Sequence, residues 1–366
     1  MRLQGVLVLS LVLFAATATF GQIASFVPDQ GERAVASATP KPTPQPTPKL
    51  RRWIELDIGQ VATRYRYIDQ RNGKINVNQQ QWQLQLKGRF KFDAAGKYSI
   101  YTGLEAGRSY TSGWDTTGWG TGLRQTQLAF KHLFFDAKPV KGLELQVGSL
   151  FLNNGENTEI TTYDNDGWIT GERVLVRRPK EGWFDEISVT NAFVGDLNTV
   201  NFFKRTHRFG HPNYRQFLVR KQLNKIVGFS ADYTYEVHHN TLREAVKFKV
   251  PKGDWLDTVL FENYQRVSPD HGYGFNLFGD KMVHPKLTIS GGFAHIDKSL
   301  IANADRFPQG NRIYGAFVWR IRPDLTFNPV IVKSIGPLAT PTTHRTRVDI
   351  ILTYNFLADL KVKHWL

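Results

Sequence analysis

Residues 81–92 read QWQLQLKGRFKF, and their strict two-residue alternation decides the fold class. Trp82, Leu84, Leu86, Phe90 and Phe92 fall on one side with Gly88, while Gln81, Gln83, Gln85, Lys87, Arg89 and Lys91 fall on the other. A period of two belongs to a β-strand, whose successive side chains point to opposite faces. One face here is oily and the other is polar and cationic. The pattern returns in Leu242–Val250, where Leu242, Val246, Phe248 and Val250 oppose Arg243, Lys247 and Lys249, and Glu244 interrupts the apolar row. It returns again in Arg312–Arg322, with Ile313, Phe317, Trp319 and Ile321 against Arg312, Tyr314, Ala316, Val318, Arg320 and Arg322.

A soluble sandwich also alternates, so one such strand does not choose. The choice comes from persistence: the texture runs from Arg51 to the end, with connections alternately short and long, as in a membrane barrel with short turns at one rim. The short ones are Asp93–Lys97, Lys138–Gly142, Pro179–Gly182, Gln222–Lys225, Pro251–Asp254, His284–Lys286 and Arg322–Asp324. The long ones are Asp69–Asn78, Tyr110–Leu123, Asn153–Gly167, Asp196–Asn213, Ser299–Gly310 and Ser334–Thr343, with two shorter outer loops near His238 and Pro269. This predicts an all-β fold, a transmembrane antiparallel up-and-down β-barrel of about 16 strands, within roughly 14–18. No Gly-rich phosphate loop follows a strand and no long 3.6-period segment occurs, which disfavours βαβ folds.

Composition agrees. The 366 residues include 47 Lys and Arg against 32 Asp and Glu, a formal charge of +15. Anionic partners are therefore expected: lipopolysaccharide phosphates or small anions, with nucleic acid disfavoured by the export signal described next. A hydrophobic share of 41% excludes a disordered chain. A mean hydropathy of -0.35 excludes a helical membrane protein, yet suits a barrel in which only alternate strand residues meet lipid. Cysteine is absent, which removes thiolate catalysis, iron–sulfur clusters and cysteine-bound zinc.

Residues 1–21 read as a secretory signal peptide, with Arg2 as the basic start, an apolar run from Val6 to Ala16, and small residues at Thr19 and Gly21. The run is shorter than a spanning helix requires. Residues 22–50 contain a Thr-Pro repeat that cannot form a ladder or helix, and are expected to be an extended periplasmic linker. Residues 51–366 are then expected to form the barrel, in an outer membrane if the export signal is followed to that end.

Residues 348–356, VDIILTYNF, alternate and end in an aromatic-x-Phe pair. The segment resembles the final strand of bacterial outer-membrane porins. That resemblance implies a porin-like barrel inserted by the outer-membrane assembly machinery, in contact with lipid and lipopolysaccharide, as a monomer or a homotrimer. Alginate-export-type and carbohydrate-type barrels are compatible relatives. Ten residues, LADLKVKHWL, follow Phe356. They are expected to be one more strand, with Leu360, Val362, Trp365 and Leu366 taking over the signal role, or a tail.

For such a barrel the implied function is a channel for passive diffusion of small hydrophilic solutes, with a basic lumen favouring anions or acidic saccharides. The alternatives are an outer-membrane barrel enzyme of lipase or protease type, or a structural or adhesion barrel. No lipase-like or protease-like motif surrounds a Ser or His, so no catalytic residue, cofactor or metal is assigned. In general porins the third outer loop folds inward against a basic wall. The third long connection here carries Glu156, Glu159, Asp164 and Asp166 in an otherwise basic chain, and its position and charge are similar. The expected wall is Lys87, Arg89, Arg243, Lys247, Arg320 and Arg347. Carboxylates facing cations across a lumen create a transverse field; the plainer alternative is that all are solvated loop and lumen residues.

An EF-hand fails, since placing Gly167 at the loop's glycine position puts Arg173 where a carboxylate ligand belongs. The His207/His211 pair, with Gly210 and Pro212, and His238-His239 are expected on surface loops, in contact with phosphate rather than a metal. Trp114, Trp119, Trp168, Trp183, Trp255 and Trp365 are expected in interfacial girdles. The alternative for Trp114 and Trp119 is stacking on sugar rings.

Overall fold

The alternating segment at residues 81–92 lies in the second of a continuous series of strands. The computed structural model describes residues 53–362 apart from 71–73, 111, 159–165, 179–181, 251–254, 298–299, 301–308 and 337–343. The expected signal peptide and linker, Glu159, Asp164, Trp365 and Leu366 lie outside the described residues.

The strands are β1 (Ile54–Gln70), β2 (Ile75–Lys91), β3 (Tyr98–Ala106), β4 (Asp115–Gly120), β5 (Leu128–Ala137), β6 (Leu143–Leu150), β7 (Ile169–Arg177) and β8 (Glu186–Phe193). There follow β9 (Tyr214–Gln222), β10 (Val227–Glu236), β11 (His239–Lys249), β12 (Thr258–Ser268), β13 (Gly272–His284) and β14 (Leu287–Ile296). The last are β15 (Gly310–Arg322), β16 (Leu325–Ile335) and β17 (His344–Asn355), before the helix α1 (Phe356–Val362). The strands form one antiparallel sheet that closes where β17 returns to β1, with Gln60 opposite Asn355 and Arg64 opposite Ile351. Closure leaves no edge with unpaired backbone groups, which the bilayer core requires.

β4 does not widen the barrel. The lower part of β2, Gln85–Lys91, pairs with β3, while its upper part, Gln79–Trp82, pairs with β4. β3 and β4 therefore share one position, so seventeen strands make sixteen staves. The break falls at Gly107, whose φ of +97° is open to glycine.

The expected short turns Asp93–Lys97, Lys138–Gly142, Gln222–Lys225, His284–Lys286 and Arg322–Asp324 join strands at the rim that also holds both ends of the barrel, while residues 179–181 and 251–254 of the other two lie outside the described residues. At the first of them the Asp93 carboxylate accepts from the N–H groups of Ala95, Lys97 and Tyr98. Those bonds hold its carboxyl below the usual range. Alternation then sorts the side chains: Gln81, Gln83, Gln85 and Lys87 are buried within the barrel, whereas Phe90 and Phe92 are half exposed on its outer face. Around β11–β16 the inner wall is partly apolar, with Leu260, Phe278, Tyr314, Val330 and Val332 in one cluster.

Residues 357–362 make no strand, and residues 363–366 lie outside the described residues. β17 is already paired on both sides, and the chain turns into α1, with the Asn355 side chain accepting from the Ala358 N–H. Leu357 is buried, and α1 packs on β1 at Gly59, where an added Cβ would lie 2.6 Å from the Phe356 ring.

Candidate functional site: the lumen and its third loop

The connection between β6 and β7 turns into the barrel. Phe151 stacks on His132 of β5, Asn153 donates to Ser188 of β8 (3.0 Å), and the Glu156 N–H donates to Ser230 of β10 (2.8 Å). The Thr158 hydroxyl then donates to Glu262 of β12 (2.8 Å). The returning end reaches β5 again, where the Gly167 carbonyl lies 3.1 Å from His132 Nε2. Asp166 accepts from the Gly113 N–H at 2.7 Å, beside Gln83. The loop thus runs along the inner wall from β6 to β12 and has both feet on His132.

Of the four loop acids, Glu156 meets the basic wall: its carboxylate lies 2.7 Å from Arg220 Nε and 3.2 Å from Lys247 Nζ. Burial alone would raise its pKa, but Lys247 and Arg220 overcome that, so the carboxyl is held below the usual carboxylate range. Asp166 serves as a loop anchor. Glu159 and Asp164 lie outside the described residues.

Most of the expected cationic wall is neutralised by neighbours. Lys87 pairs with Glu105 (3.3 Å), Arg243 with Asp232 (2.8 Å), Lys247 with Glu156 and Arg347 with Asp349 (2.7 Å). Arg89 sits among Glu55, Asp57 and Asp136 at 3.7–4.0 Å. Arg320 is exposed and has no ion pair among the described residues. Glu156 stands on the loop, Asp349 on the same strand as Arg347, and the other acids on neighbouring strands.

The alternating reading passed over a second basic group. Arg64 and Arg66 of β1 join Arg347 around the single carboxylate of Asp349, with Arg66 Nε at 2.8 Å and Arg64 at 3.8 Å. Three guanidinium groups thus share this one carboxylate, each by a charge-assisted contact. The signal lay in residues 63–67, TRYRY, another strict alternation. In a ring of sixteen staves, β1 and β17 lie across the lumen from β9 and β10, against which the third loop is fastened.

The tryptophans divide. Trp114 lies beneath the Arg64 guanidinium, 4.2 Å from its ring centroid, on the lumenal side. Trp119 pairs with Tyr65 on the outer face (6.1 Å) and is exposed. Trp168 is buried against Tyr110 and Arg205, while Trp183 and Trp255 are exposed at the short-turn rim.

The loop between β8 and β9 carries His207 and His211 and folds over the top of β5–β7. Its Arg205 donates to Thr170, Ser149 and the carbonyls of Lys131 and Val200. Burial pushes this guanidinium down to about 9. Arg208 clamps Asp196 at 2.6 Å, and that contact lowers the Asp196 carboxyl. Among the described residues no His, Cys, Asp and Glu side chains gather as a metal site.

Solved structures share this closed barrel. An engineered variant of the Rhodopseudomonas blastica porin superposes with a TM-score of 0.54 at 12% identity, covering 83% of this chain and 100% of that one. The Salmonella typhi OmpF complex with daunomycin gives 0.54 at 9% identity, covering 82% of this chain and 97% of that one. The chain has the porin fold. No protein-family model and no curated relative matches the sequence. For a porin fold, the inward third loop and the short turns at the rim holding both ends of the barrel are the features that orient the barrel.

Proposed function

We propose that this chain is an outer-membrane channel of porin type, through which small hydrophilic solutes diffuse passively, with preference for anions and acidic saccharides. The observation that carries the reading is the lumen: a closed sixteen-stave barrel with a loop folded along one inner wall and Arg64, Arg66 and Arg347 grouped on the other. Charged groups lining a water-filled passage set its selectivity. In this reading Glu156, Glu159, Asp164 and Asp166 form one side of the constriction, where Lys247 of β11 pairs with Glu156, and the basic residues of β1, β2, β15 and β17 form the other.

Residues 1–21 direct export, residues 22–50 span periplasm, and lipopolysaccharide phosphates meet the outer loops. A homotrimer is the favoured assembly, and no catalytic residue is assigned. Planar-bilayer recording of refolded protein tests the reading. Stepwise ion currents with a reversal potential on the anion side are expected. An intact barrel that passes no current overturns it. Replacing Arg64 and Arg66 with Gln should move the reversal potential toward cations, and an unmoved value removes these residues from the selectivity assignment.

A further inference from the structure

The second long connection borders an open cavity that the passive-channel reading does not use. It measures about 630 Å³, within the range of ligand sites, and lies against the inner face of β2 and β4 under the segment that leaves β3. Three kinds of side chain line it. Amides come from Gln79, Gln81, Gln125, Gln127 and Asn198, and hydroxyls from Ser109, Ser112 and Thr116. The third kind is an indole and a cation, Trp114 and Arg108. No carboxylate is among the lining residues.

That combination has a chemical match. Vicinal hydroxyls on a pyranose ring donate to and accept from the same planar amide, and the axial C–H face of the ring packs on an aromatic face. Glutamine clusters have both a donor and an acceptor at each tip, which a site for a bare anion does not need. The charge selects among saccharides. Arg108 is exposed and has no ion pair among the described residues, and Arg64 lies against Trp114 at the cavity's edge. A guanidinium recognises a carboxylate with two parallel hydrogen bonds.

The local structure explains how the cavity is held. Gln81 Oε1 accepts from Arg64 Nε at 2.8 Å, fixing that amide so that its N–H₂ is the end left for a ligand. The Ser112 hydroxyl donates to the Trp114 carbonyl, and Lys131 holds the Ser112 carbonyl at 2.8 Å. Trp82 Nε1 ties down the Gln125 carbonyl from the outer face (3.3 Å). The break between β3 and β4 is thus a braced pocket rim.

We propose that this cavity is a binding subsite for an acidic saccharide, a uronic-acid unit held by Trp114, the glutamine amides and Arg108 at the entrance to the lumen. The proposal rests on the channel reading for its place on a solute path, and names the solute class that path would favour.

Block of ion current by trigalacturonate, with maltotriose as the neutral comparison, tests it. Half-blocking concentrations are read against each variant's own open-channel current. Trigalacturonate is expected to block more strongly than maltotriose. Trp114→Leu is expected to raise its half-blocking concentration about tenfold, the effect of losing one ring stack. Trp119→Leu, on the outer face, should leave it unaltered. Calorimetry of the detergent-solubilised full chain with trigalacturonate reads binding without any current. Saturable heat lost in Arg108→Gln supports the subsite. Equal block of wild type and Trp114→Leu, or no heat with trigalacturonate, overturns it. An absence of current accompanied by saturable heat would instead remove the channel reading and leave the subsite standing.

Discussion

The ring of Phe151 lies nearly parallel to the imidazole of His132, with 3.8 Å between centroids and 22° between planes. The same imidazole faces Glu105 through Nδ1 (2.8 Å) and the Gly167 carbonyl through Nε2 (3.1 Å). Phe151 and Gly167 are the two feet of the third loop, so one buried side chain of β5 fastens both. Lys87 completes the group, 3.3 Å from Glu105 and 5.0 Å from the centre of the Phe151 ring.

His132→Leu should therefore loosen the loop without opening the barrel. It removes the stack and the bond to Gly167, each contributing about 1 kcal/mol. Lys87 still compensates the Glu105 charge. Protease cleavage within residues 151–167, applied from the loop side of reconstituted vesicles, should rise roughly tenfold or more. Unchanged cleavage would show that the contacts to β8–β12 hold the loop alone.

Glu156 gives the loop a pH dependence. Its carboxyl is lowered from 4.5 in the folded chain, because Lys247 and Arg220 outweigh burial. A lowered carboxyl stabilises fully above its unfolded value and loses that contribution as pH falls through the folded value. Open-channel current should thus be steady from neutral pH down to the ordinary carboxylate range and grow noisy only in stronger acid. Glu156→Gln should be noisy at neutral pH. A wild-type transition near neutrality would contradict this assignment.

The turns and the barrel were legible because their causes are local. Asp93 stands where three backbone N–H groups need an acceptor, and the Gln81–Phe92 alternation sorts water from lipid within one strand. Glu156 stands out in the sequence as an acid in a long loop of a basic chain, but its contact with Arg220 depends on where the fold carries that loop. The neutralised wall was not. Lys87 meets Glu105 and Arg243 meets Asp232 only once register is set, and alternation within a strand carries no register. α1 was hidden differently, since Leu360 and Val362 fit a strand until the Asn355 cap and the space above Gly59 decide for helix.

Gly59 offers a test of that packing. A Cβ there meets the Phe356 ring at 2.6 Å, so Gly59→Val must displace α1 or shift the strand beneath it. The expected cost is about 1–3 kcal/mol, typical of overpacking. It should appear as a lower temperature for conversion of the compact to the extended band in gel electrophoresis. Gly59→Val on a chain ending at Asn355 should lose most of that difference, because the helix it clashes with is gone.

Glu244, the acid that breaks the apolar row of β11, faces outward near the middle of its strand. The Asn263 amide of β12 donates to it at 3.3 Å, and these two residues are directly opposed in the register. In a low-dielectric surrounding, a polar group that loses its partner costs more than a pair that is removed together. Asn263→Val should lower unfolding stability in denaturant by about 1–3 kcal/mol, since Glu244 keeps its desolvation cost without its donor. Glu244→Val with Asn263→Val should return to within about 1 kcal/mol of the wild type, because two apolar side chains of β-favouring shape then face lipid. Additive losses in the double variant would mean that neither residue compensates the other and that the outer face at β11–β12 is held by contacts beyond this pair.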